Sequence, residues 1–317
     1  MSKKAAAGDT TSRRHKLFEE IISKIPYTDH VFSCNEIREG KLPRYDAIVV
    51  GSDQVWNGIK VGNQDVYMLD IESVIGGGIS YAASFGMTTI PESMYQDYQR
   101  RLNNFPRLLM REDEGVEMCR SLGRDDAVRV LDPTLLLKRE AYDEMIVTSE
   151  TCADADRLSK EDYVLVYSLN QSRVIFDEAY KLARKNNCKL VILKRSICPP
   201  NISRYKNVEE LYEVSTAGFL SLIKNAKCVV TNSYHALIFS IVFNSNFNLY
   251  LDNADEENSR LLSLVRMLKL EDRIYWQTGH LTRQIIDIDY SEANILLDEQ
   301  REFSIGKLKE AVEEKLA

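Results

Sequence analysis

The stretch KCVVTNSYHALIFSIVF, residues 227–243, passes from an apolar, β-branched run into a longer apolar segment through a short polar step. The first part is typical of a buried strand, and the second is long enough for a helix. Asn232 and Ser233 stand at the step, and both are residue types that cap the start of a helix. The stretch therefore predicts a strand that leads directly into a buried helix, with His235 in the first turn of that helix.

Apolar runs of the same kind recur along the chain and alternate with segments of helical period. The predicted strands are YDAIVV (45–50), GISYAAS (78–84), VRVLD (128–132), DYVLVYSL (162–169), KLVILK (189–194), KCVVTN (227–232) and FNLYL (247–251). Amphipathic helices are predicted at residues 174–186 and 219–226. This alternation indicates βαβ units and a mostly parallel sheet, so the predicted fold class is α/β.

A polar and charged stretch at residues 138–163 separates two such series. The chain has 317 residues, which is enough for two domains that each bury a core. We place the boundary near residue 155. The predicted domains are 1–155 and 156–290, followed by a helical tail at 291–317.

Composition narrows the class of protein. With 44 % hydrophobic and 28 % charged residues the chain is predicted to be globular, and its net charge of −7 argues against a nucleic-acid surface. No run of about 18 apolar residues predicts a transmembrane helix, and the first residues lack the apolar core of a signal peptide. The six cysteines include no CxxC pair, which favours reduced thiols over a zinc site. These features predict a cytoplasmic protein.

The predicted strand 45–50 leads into Gly51, Ser52 and Asp53. The last two are good N-cap residues, backbone amides at a helix start favour anions, and a glycine lets a ligand approach the backbone. The alternative is a plain aspartate cap with Trp56 filling the core. The residues alone do not decide between these readings.

Polar residues at other predicted strand ends are further candidates. A helix N-terminus disfavours the imidazolium, so His235 should be neutral unless an anion lies beside it; the alternative is a hydrogen bond to a neighbouring loop. Arg111, in LLMREDEG (108–115), offers a fork for carboxylate or phosphate, or forms a surface ion pair. Lys194 and Arg195 follow another strand and could face a ligand. The Asp-Pro of VLDPTLLL (130–137) is read as a turn signal without a functional role.

Five of these stretches resemble, in order, the polysaccharide pyruvyl transferase family. They are YDAIVVGSDQVWN, ISYAASFG, REDEGVEMCRSLG, VLDPTLLL and CVVTNSYHALIFSIVFNSNF, and NSRLLSLVRMLKLEDRI follows them. The resemblance runs from about Leu17 to Leu316. It implies a glycosyltransferase-B-type architecture of two Rossmann-like domains with the active site in the cleft between them. The implied reaction moves the enolpyruvyl unit of phosphoenolpyruvate onto sugar hydroxyls, usually as a cyclic ketal, and needs no metal or redox cofactor.

The resemblance also implies roles for particular residues. His235 would contact phosphoenolpyruvate and transfer a proton, Arg111 would bind its carboxylate or phosphate, and Asp53 would be the base toward the sugar hydroxyl, unless it only caps a helix. The other predicted substrate-binding residues are Ser52, Asn57, Asn232, Ser233, Lys194 and Arg195. The expected partners are phosphoenolpyruvate and a sugar or lipid-linked glycan, and a homo-oligomer is left open. Membrane association would be peripheral, through partners or substrate.

One departure from the family lies at the N-terminus. Family members commonly begin with a strand, an Asn-Tyr-Gly-type loop and a helix, where this sequence has MSKKAAAGDTTSRR. The resemblance therefore implies that the N-terminal domain lacks its first βα unit. The consequence would be a shortened acceptor site, completion of the site by a partner chain, or loss of activity.

Two alternative functions stay open. One is a sugar-nucleotide glycosyltransferase of the same architecture, for which no clear Glu-x7-Glu element follows residue 160; the other is a non-catalytic glycan-binding relative.

Overall fold

Helices and strands alternate through the part of the chain that the structure, a computed structural model, describes. That part comprises residues 23, 25–71, 74, 77–149, 153–170, 173–194, 205–251, 258–276 and 284–317. The elements in chain order are α1 (Cys34–Arg38), β1 (Val49–Val50), α2 (Gln64–Tyr67), β2 (Ile79–Ala83), α3 (Glu92–Arg101), β3 (Arg107–Met110), α4 (Asp113–Ser121), β4 (Val128–Arg129), α5 (Pro133–Leu136), α6 (Arg139–Thr148), α7 (Ala153–Leu158), β5 (Tyr163–Tyr167), α8 (Arg173–Lys185), β6 (Lys189–Leu193), β7 (Val208–Leu211), α9 (Thr216–Asn225), β8 (Cys228–Thr231), α10 (Tyr234–Val242), β9 (Phe247–Leu251), α11 (Ser259–Met267), β10 (Ile274–Trp276) and α12 (Ser291–Leu316).

These elements form two compact units. The four-stranded unit combines Thr28–Leu136, Ala254–Leu270 and Ser291–Ala317, and the six-stranded unit is built mainly from Leu137–Asn253 and Glu271–Tyr290. The first segment of the four-stranded unit thus ends at Leu136, earlier than the boundary predicted near residue 155. The reason is that the polar stretch after Leu136 is not a linker, because α6 and α7 within it pack against α9.

The four-stranded unit contains a parallel sheet in the order β1-β2-β3-β4. Its core gathers side chains from the sheet and from the turn after β1, among them the fully buried Trp56. Trp56 packs against Phe85 and Phe105, and its indole N–H donates to the carbonyl of Tyr67 at 3.0 Å. The long helix α12 packs against β2 and β3, so the predicted helical tail is part of this unit.

The six-stranded unit contains a parallel sheet in the order β10-β9-β8-β5-β6-β7. From β5 the chain proceeds outward through β6 to β7, then returns to β8 on the other side of β5 and proceeds outward again. This is the doubly wound order of Rossmann-like folds, in which ligands bind where the strand order reverses, beyond the carboxyl ends of the central strands. Here that switch point lies between β5 and β8.

The predicted α/β class, with two Rossmann-like halves, is confirmed. All the predicted strands form, although the strand predicted at 45–50 shortens to Val49–Val50 and the one at 128–132 to Val128–Arg129. Sequence reasoning did not predict β3, β7 or β10 as strands. β7 was hidden because its sequence, VEEL, carries two glutamates, of which Glu209 is paired with Arg157. No helix within the described residues is long and apolar enough to cross a membrane.

The aromatic packing of the four-stranded unit leads to a stability prediction. We expect Trp56→Ala to lower the free energy of unfolding by about 3–5 kcal/mol, because the substitution leaves a large cavity in a close-packed core. Urea unfolding followed by circular dichroism measures the change. Trp276→Ala is the matched control, since the Trp276 side chain is 39 % exposed. An equal loss in both variants would contradict the core position of Trp56.

Candidate functional site

The carboxyl ends of all four strands of the four-stranded unit carry polar side chains that contact Arg111 directly or through one intervening side chain. We call this group the Arg111 cluster. Its members are Ser52 and Asp53 after β1, Ser84 after β2, Arg111 and Glu112 after β3, Asp132 after β4, and Arg260 on α11. Since parallel strands present their carboxyl ends at one edge of the sheet, the topology itself brings these residues together.

Arg111 lies at the centre of the cluster with a fully buried side chain. Its Nη1 donates to Asp132 at 3.3 Å and its Nη2 donates to Asp53 at 3.2 Å, while Glu112 lies 3.5 Å from Nε. The surface ion pair considered from the sequence is therefore wrong, because Arg111 and two of these acidic partners, Glu112 and Asp132, are buried. The guanidinium is compensated by carboxylates of its own unit, which gives Arg111 an internal organising role. Its predicted contact with a substrate anion stays a prediction.

Asp132 joins the cluster to the turn before α5. The carboxylate is 1 % exposed, and its Oδ2 accepts hydrogen bonds from the Ser52 hydroxyl at 2.9 Å and from Arg111. Its Oδ1 accepts from the backbone N–H and the hydroxyl of Thr134 at 3.0 and 2.7 Å. The sequence correctly indicated a turn at Asp132, but missed that the same carboxylate binds two strand ends.

The turn after β1 differs from the predicted helix start. Residues 51–60 contain no helix, and Asp53 has a left-handed φ of +68° and bridges Ala83 at the end of β2. The prediction that Ser52 and Asp53 cap a helix is therefore wrong. Gly51 has a φ of +123°, and a Cβ there would lie 2.1 Å from the carbonyl oxygen of Tyr81. The absence of a side chain at Gly51 allows β2 to approach closely. The backbone after β1 therefore continues alongside β2 and does not form a helix.

The Asp53 carboxylate is the exposed acid of the cluster, with 63 % of its side chain accessible. Partial burial alone would raise its pKa, but the charges of Arg111 and Arg260 and the backbone amide of Gln54 together lower the pKa below its ordinary value. Arg260 approaches it to 3.7 Å. Asp53 is thus ionised at neutral pH. Arg260 was missed by sequence reasoning, although it lies within the stretch NSRLLSLVRM.

Glu112 is the fully buried acid of the cluster. It accepts a hydrogen bond of 2.6 Å from the Ser84 hydroxyl. Burial raises the pKa of Glu112 above its ordinary value, even though the charge of Arg111 and the Ser84 hydrogen bond act to lower it. The pKa values of two carboxyl groups in the cluster are therefore shifted in opposite directions: that of Asp53 is lowered and that of Glu112 is raised.

Two other predicted residues of this unit serve the turn itself. Asn57 is buried, its Nδ2 donates to the carbonyl of Gly86 at 3.1 Å, and its Oδ1 accepts from the backbone of Ile59 and Lys60. Its amide is occupied by backbone, so the geometry gives Asn57 a structural role. Ser52 donates its hydroxyl to Asp132 and is likewise part of the internal network.

A second group of polar residues lies at the switch point of the six-stranded unit. The Oδ1 of Asn232, after β8, accepts from the backbone N–H of Leu169, after β5, at 2.8 Å. Its Nδ2 donates to the Oδ1 of Asn170 at 3.0 Å. Asn232 therefore clamps the ends of β5 and β8 together, a partnership that the sequence did not reveal.

The helix start after β8 has the predicted form. The Ser233 hydroxyl accepts from the backbone N–H of Ala236 at 3.5 Å, and α10 begins at Tyr234. His235 is the second residue of α10, is partly buried, and meets the Tyr234 ring edge-on with centroids 5.7 Å apart. The predicted placement of His235 in the first helical turn is confirmed, and its role in catalysis stays a prediction.

Other predictions fall elsewhere. Lys194, at the end of β6, forms an ion pair with Glu210 on β7, one strand away from the switch point. Arg195 and residues 1–22, where a missing βα unit was expected, lie outside the described residues. In the part of the chain that the structure describes, no cluster of His, Cys, Asp or Glu side chains could hold a metal ion.

The raised pKa of Glu112 predicts a pH-dependent effect of Glu112→Gln. As pH rises above the ordinary value of 4.5, the unfolded chain releases this proton before the folded chain does, so wild type loses stability that the glutamine variant keeps. We expect the stability of Glu112→Gln relative to wild type, measured by urea unfolding, to increase as the pH rises above 4.5. Glu117→Gln, at an exposed position on α4, the helix that follows Glu112, is the control. A relative stability that falls with pH would contradict the assignment.

Comparisons with known proteins complete the description of the site. Among solved structures, the chain is similar to UDP-GlcNAc 2-epimerase from Methanocaldococcus jannaschii, with 12 % identity, a TM-score of 0.49, and coverage of 90 % of this chain and 82 % of that one. It is also similar to UGT89C1 from Arabidopsis thaliana, with 13 % identity, a TM-score of 0.49, and coverage of 100 % and 80 %. No curated protein sequence matches the chain.

A family model gives the assignment. The model of polysaccharide pyruvyl transferase matches residues 11–247, which is most of the chain. The match covers the turn after β1, the Arg111 and Asp132 strand ends, and the His235 helix start. These are the same strand ends that the structure arranges into its two polar clusters, so the chain belongs to the polysaccharide pyruvyl transferase family.

Proposed function

We propose that this protein transfers the pyruvyl group of phosphoenolpyruvate onto sugar hydroxyls of a polysaccharide or glycolipid precursor, forming a pyruvate ketal and releasing phosphate. The observation that carries the proposal is the family match over residues 11–247, which includes both strand-end clusters apart from Arg260. An enzyme of this kind needs an ionisable group for proton transfer and polar groups that orient a sugar. His235 and Asp53 supply these two chemistries.

The reaction defines what each group must do. The methylene carbon of phosphoenolpyruvate takes up a proton while a sugar oxygen bonds to the neighbouring carbon and gives up its own proton. Phosphate leaves as that carbon forms its second bond to a sugar oxygen, which closes the ketal. An acid, an acceptor for hydroxyl protons and donors to the phosphate therefore suffice. The chemistry requires no metal or redox cofactor.

His235 is the proposed proton donor. It lies in the first turn of α10, where backbone amides have no partner within the helix and favour an anion. The helix end alone disfavours the imidazolium, whereas a bound phosphate or carboxylate favours it. Binding of the anionic donor would therefore bring the imidazole into its proton-carrying form at the time it is needed.

Asp53 is the proposed contact to the acceptor sugar. Its carboxylate is ionised, exposed and fixed by Arg111 and Arg260, so it can accept hydrogen bonds from sugar hydroxyls. A lowered pKa makes it a weak general base, because efficient bases have a pKa near the working pH. Asp53 is thus better suited to orient an attacking hydroxyl, and to take its proton late in the reaction, than to deprotonate it in advance.

Substitution of Arg111 is a poor test of ligand binding, because it also disturbs the stability of the four-stranded unit. Replacing it with alanine would leave Asp132 and Glu112 buried without their cation, and breaking a buried ion pair in this way costs about 3–5 kcal/mol. Loss of binding in Arg111→Ala would therefore report unfolding as readily as a lost ligand contact. His235 and Asp53 are cleaner targets because both side chains are at least partly exposed.

The donor assignment predicts the behaviour of His235→Ala. Phosphoenolpyruvate at about 100 times its dissociation constant should stabilise wild type by about 2.7 kcal/mol in thermal unfolding. With methyl glycosides of glucose, galactose and mannose as trial acceptors, His235→Ala should release phosphate about 10²–10⁴-fold more slowly. His30→Ala, at an exposed position in the other unit, should match wild type.

Other outcomes would redirect the proposal. Stabilisation of wild type by nucleotide sugars but not by phosphoenolpyruvate would support the glycosyltransferase alternative. Wild-type rates in His235→Ala would remove the histidine from the mechanism while leaving the donor intact.

The acceptor assignment predicts a different result for Asp53→Asn. The amide keeps the shape of the side chain but loses the charge that strengthens hydrogen bonds to hydroxyls. We expect the KM for the acceptor to rise by about 10–100-fold, which corresponds to about 1.4–2.7 kcal/mol, with phosphoenolpyruvate binding unchanged. Steady-state kinetics against acceptor concentration measures this, and the exposed Asp125→Asn is the control. Weakened phosphoenolpyruvate binding with an unchanged acceptor KM would contradict the assignment.

A further inference from the structure

Asp132 connects parts of the four-stranded unit that are far apart in the chain. Its partner Ser52 follows β1 and lies 80 residues away, and its partner Arg111 follows β3 and lies 21 residues away. With only 1 % of its surface exposed, the carboxylate cannot contact a substrate directly. Any functional role must therefore be exerted through the groups that it binds.

The two oxygens of this carboxylate have separate tasks. Oδ1 serves the local turn, through the backbone N–H and hydroxyl of Thr134. Oδ2 serves the cluster, through the Ser52 hydroxyl at 2.9 Å and Nη1 of Arg111 at 3.3 Å. A residue needed only to form the turn would require the Oδ1 contacts alone. The Oδ2 contacts instead hold Ser52, which precedes Asp53 in the chain, and Arg111, which contacts the Asp53 carboxylate.

We propose that Asp132 is a positioning residue, which holds Arg111 and the turn after β1 in one arrangement and so sets the direction of the Asp53 carboxylate. The proposal rests on the proposed function for its catalytic consequence. With Nη1 bound to Asp132, the planar guanidinium directs Nη2 at Asp53. With Ser52 bound as well, the backbone that carries Asp53 is held from the other side.

Three variants separate these contacts. Asp132→Asn can keep an oxygen for Thr134 but presents a neutral amide to Ser52 and Arg111. Ser52→Ala removes one contact of Oδ2 and leaves the buried charges intact, so it serves if Asp132→Asn does not fold. Thr134→Val removes a hydrogen bond to Oδ1 and leaves both contacts of Oδ2 in place, so it is the matched control.

The kinetic test is a double-mutant cycle with Asp53→Asn, using phosphate release from phosphoenolpyruvate and the methyl glycosides named above. We expect Asp132→Asn to lower kcat/KM about 10-fold in wild type and less than about 2-fold in the Asp53→Asn background, because residues that act through one another are not additive. Ser52→Ala should show the same pattern with a smaller loss, and Thr134→Val should stay within about 2-fold of wild type in both backgrounds. An equal loss in both backgrounds would overturn the proposal, since a general structural defect does not depend on Asp53.

Hydrogen exchange tests the same clamp without relying on activity. Amides of residues 51–57 should exchange faster in Asp132→Asn and Ser52→Ala than in wild type, and Thr134→Val should leave them unchanged. If wild type releases no phosphate from phosphoenolpyruvate, the proposed function fails, yet faster exchange confined to this turn still supports the clamp. Unchanged exchange in both Asp132→Asn and Ser52→Ala would overturn it.

Discussion

The four-stranded unit depends on the burial of one cation, the guanidinium of Arg111. A charge removed from water is costly unless partners compensate it, and here the carboxylates of Asp53, Asp132 and Glu112 lie within 3.5 Å of it. Those carboxylates follow three different strands, so compensation is complete only when the strands are in register. The ion pairs consequently tie local structure to sheet assembly, because Asp53 in the turn after β1 and Asp132 in the turn before α5 both contact the same guanidinium.

The same constraint decides what the unit can offer to a ligand. Arg111, Asp132 and Glu112 are buried, so their charges act on one another and on their neighbours. Asp53 is the member that combines a fixed geometry with an accessible carboxylate, and the two arginines beside it keep that carboxylate ionised. A cluster of this kind stabilises the sheet edge and at the same time presents a single oriented acceptor of hydrogen bonds. Three buried residues are thus arranged around one whose carboxylate is accessible.

The parts of the structure that sequence reasoning predicted correctly are those set by neighbours in the chain. The strand β8, the Ser233 cap and the position of His235 follow from apolar runs and capping chemistry within one short stretch. The turn at Asp53 was mispredicted because its conformation depends on a strand some 30 residues later, where Ala83 and the carbonyl of Tyr81 direct the backbone. No local pattern carries that information.

Asp132 shows the same limit for function. The Asp-Pro pair is enough to predict a turn, so the sequence gives no sign of a further role. The contacts of Ser52 and Arg111 with Oδ2 of Asp132 arise only from the parallel arrangement of the strands that precede these residues. The switch point of the six-stranded unit works by a related principle. There the side chain of Asn232 joins the ends of β5 and β8 by hydrogen bonds, and the first turn of the following helix contains the partly exposed His235. In both units, then, a polar side chain joins the strand ends: Asp132 in one and Asn232 in the other. The neighbouring ionisable groups, Asp53 and His235, are therefore positioned without a ligand. In the proposed reaction this lowers the entropic cost of ordering the site.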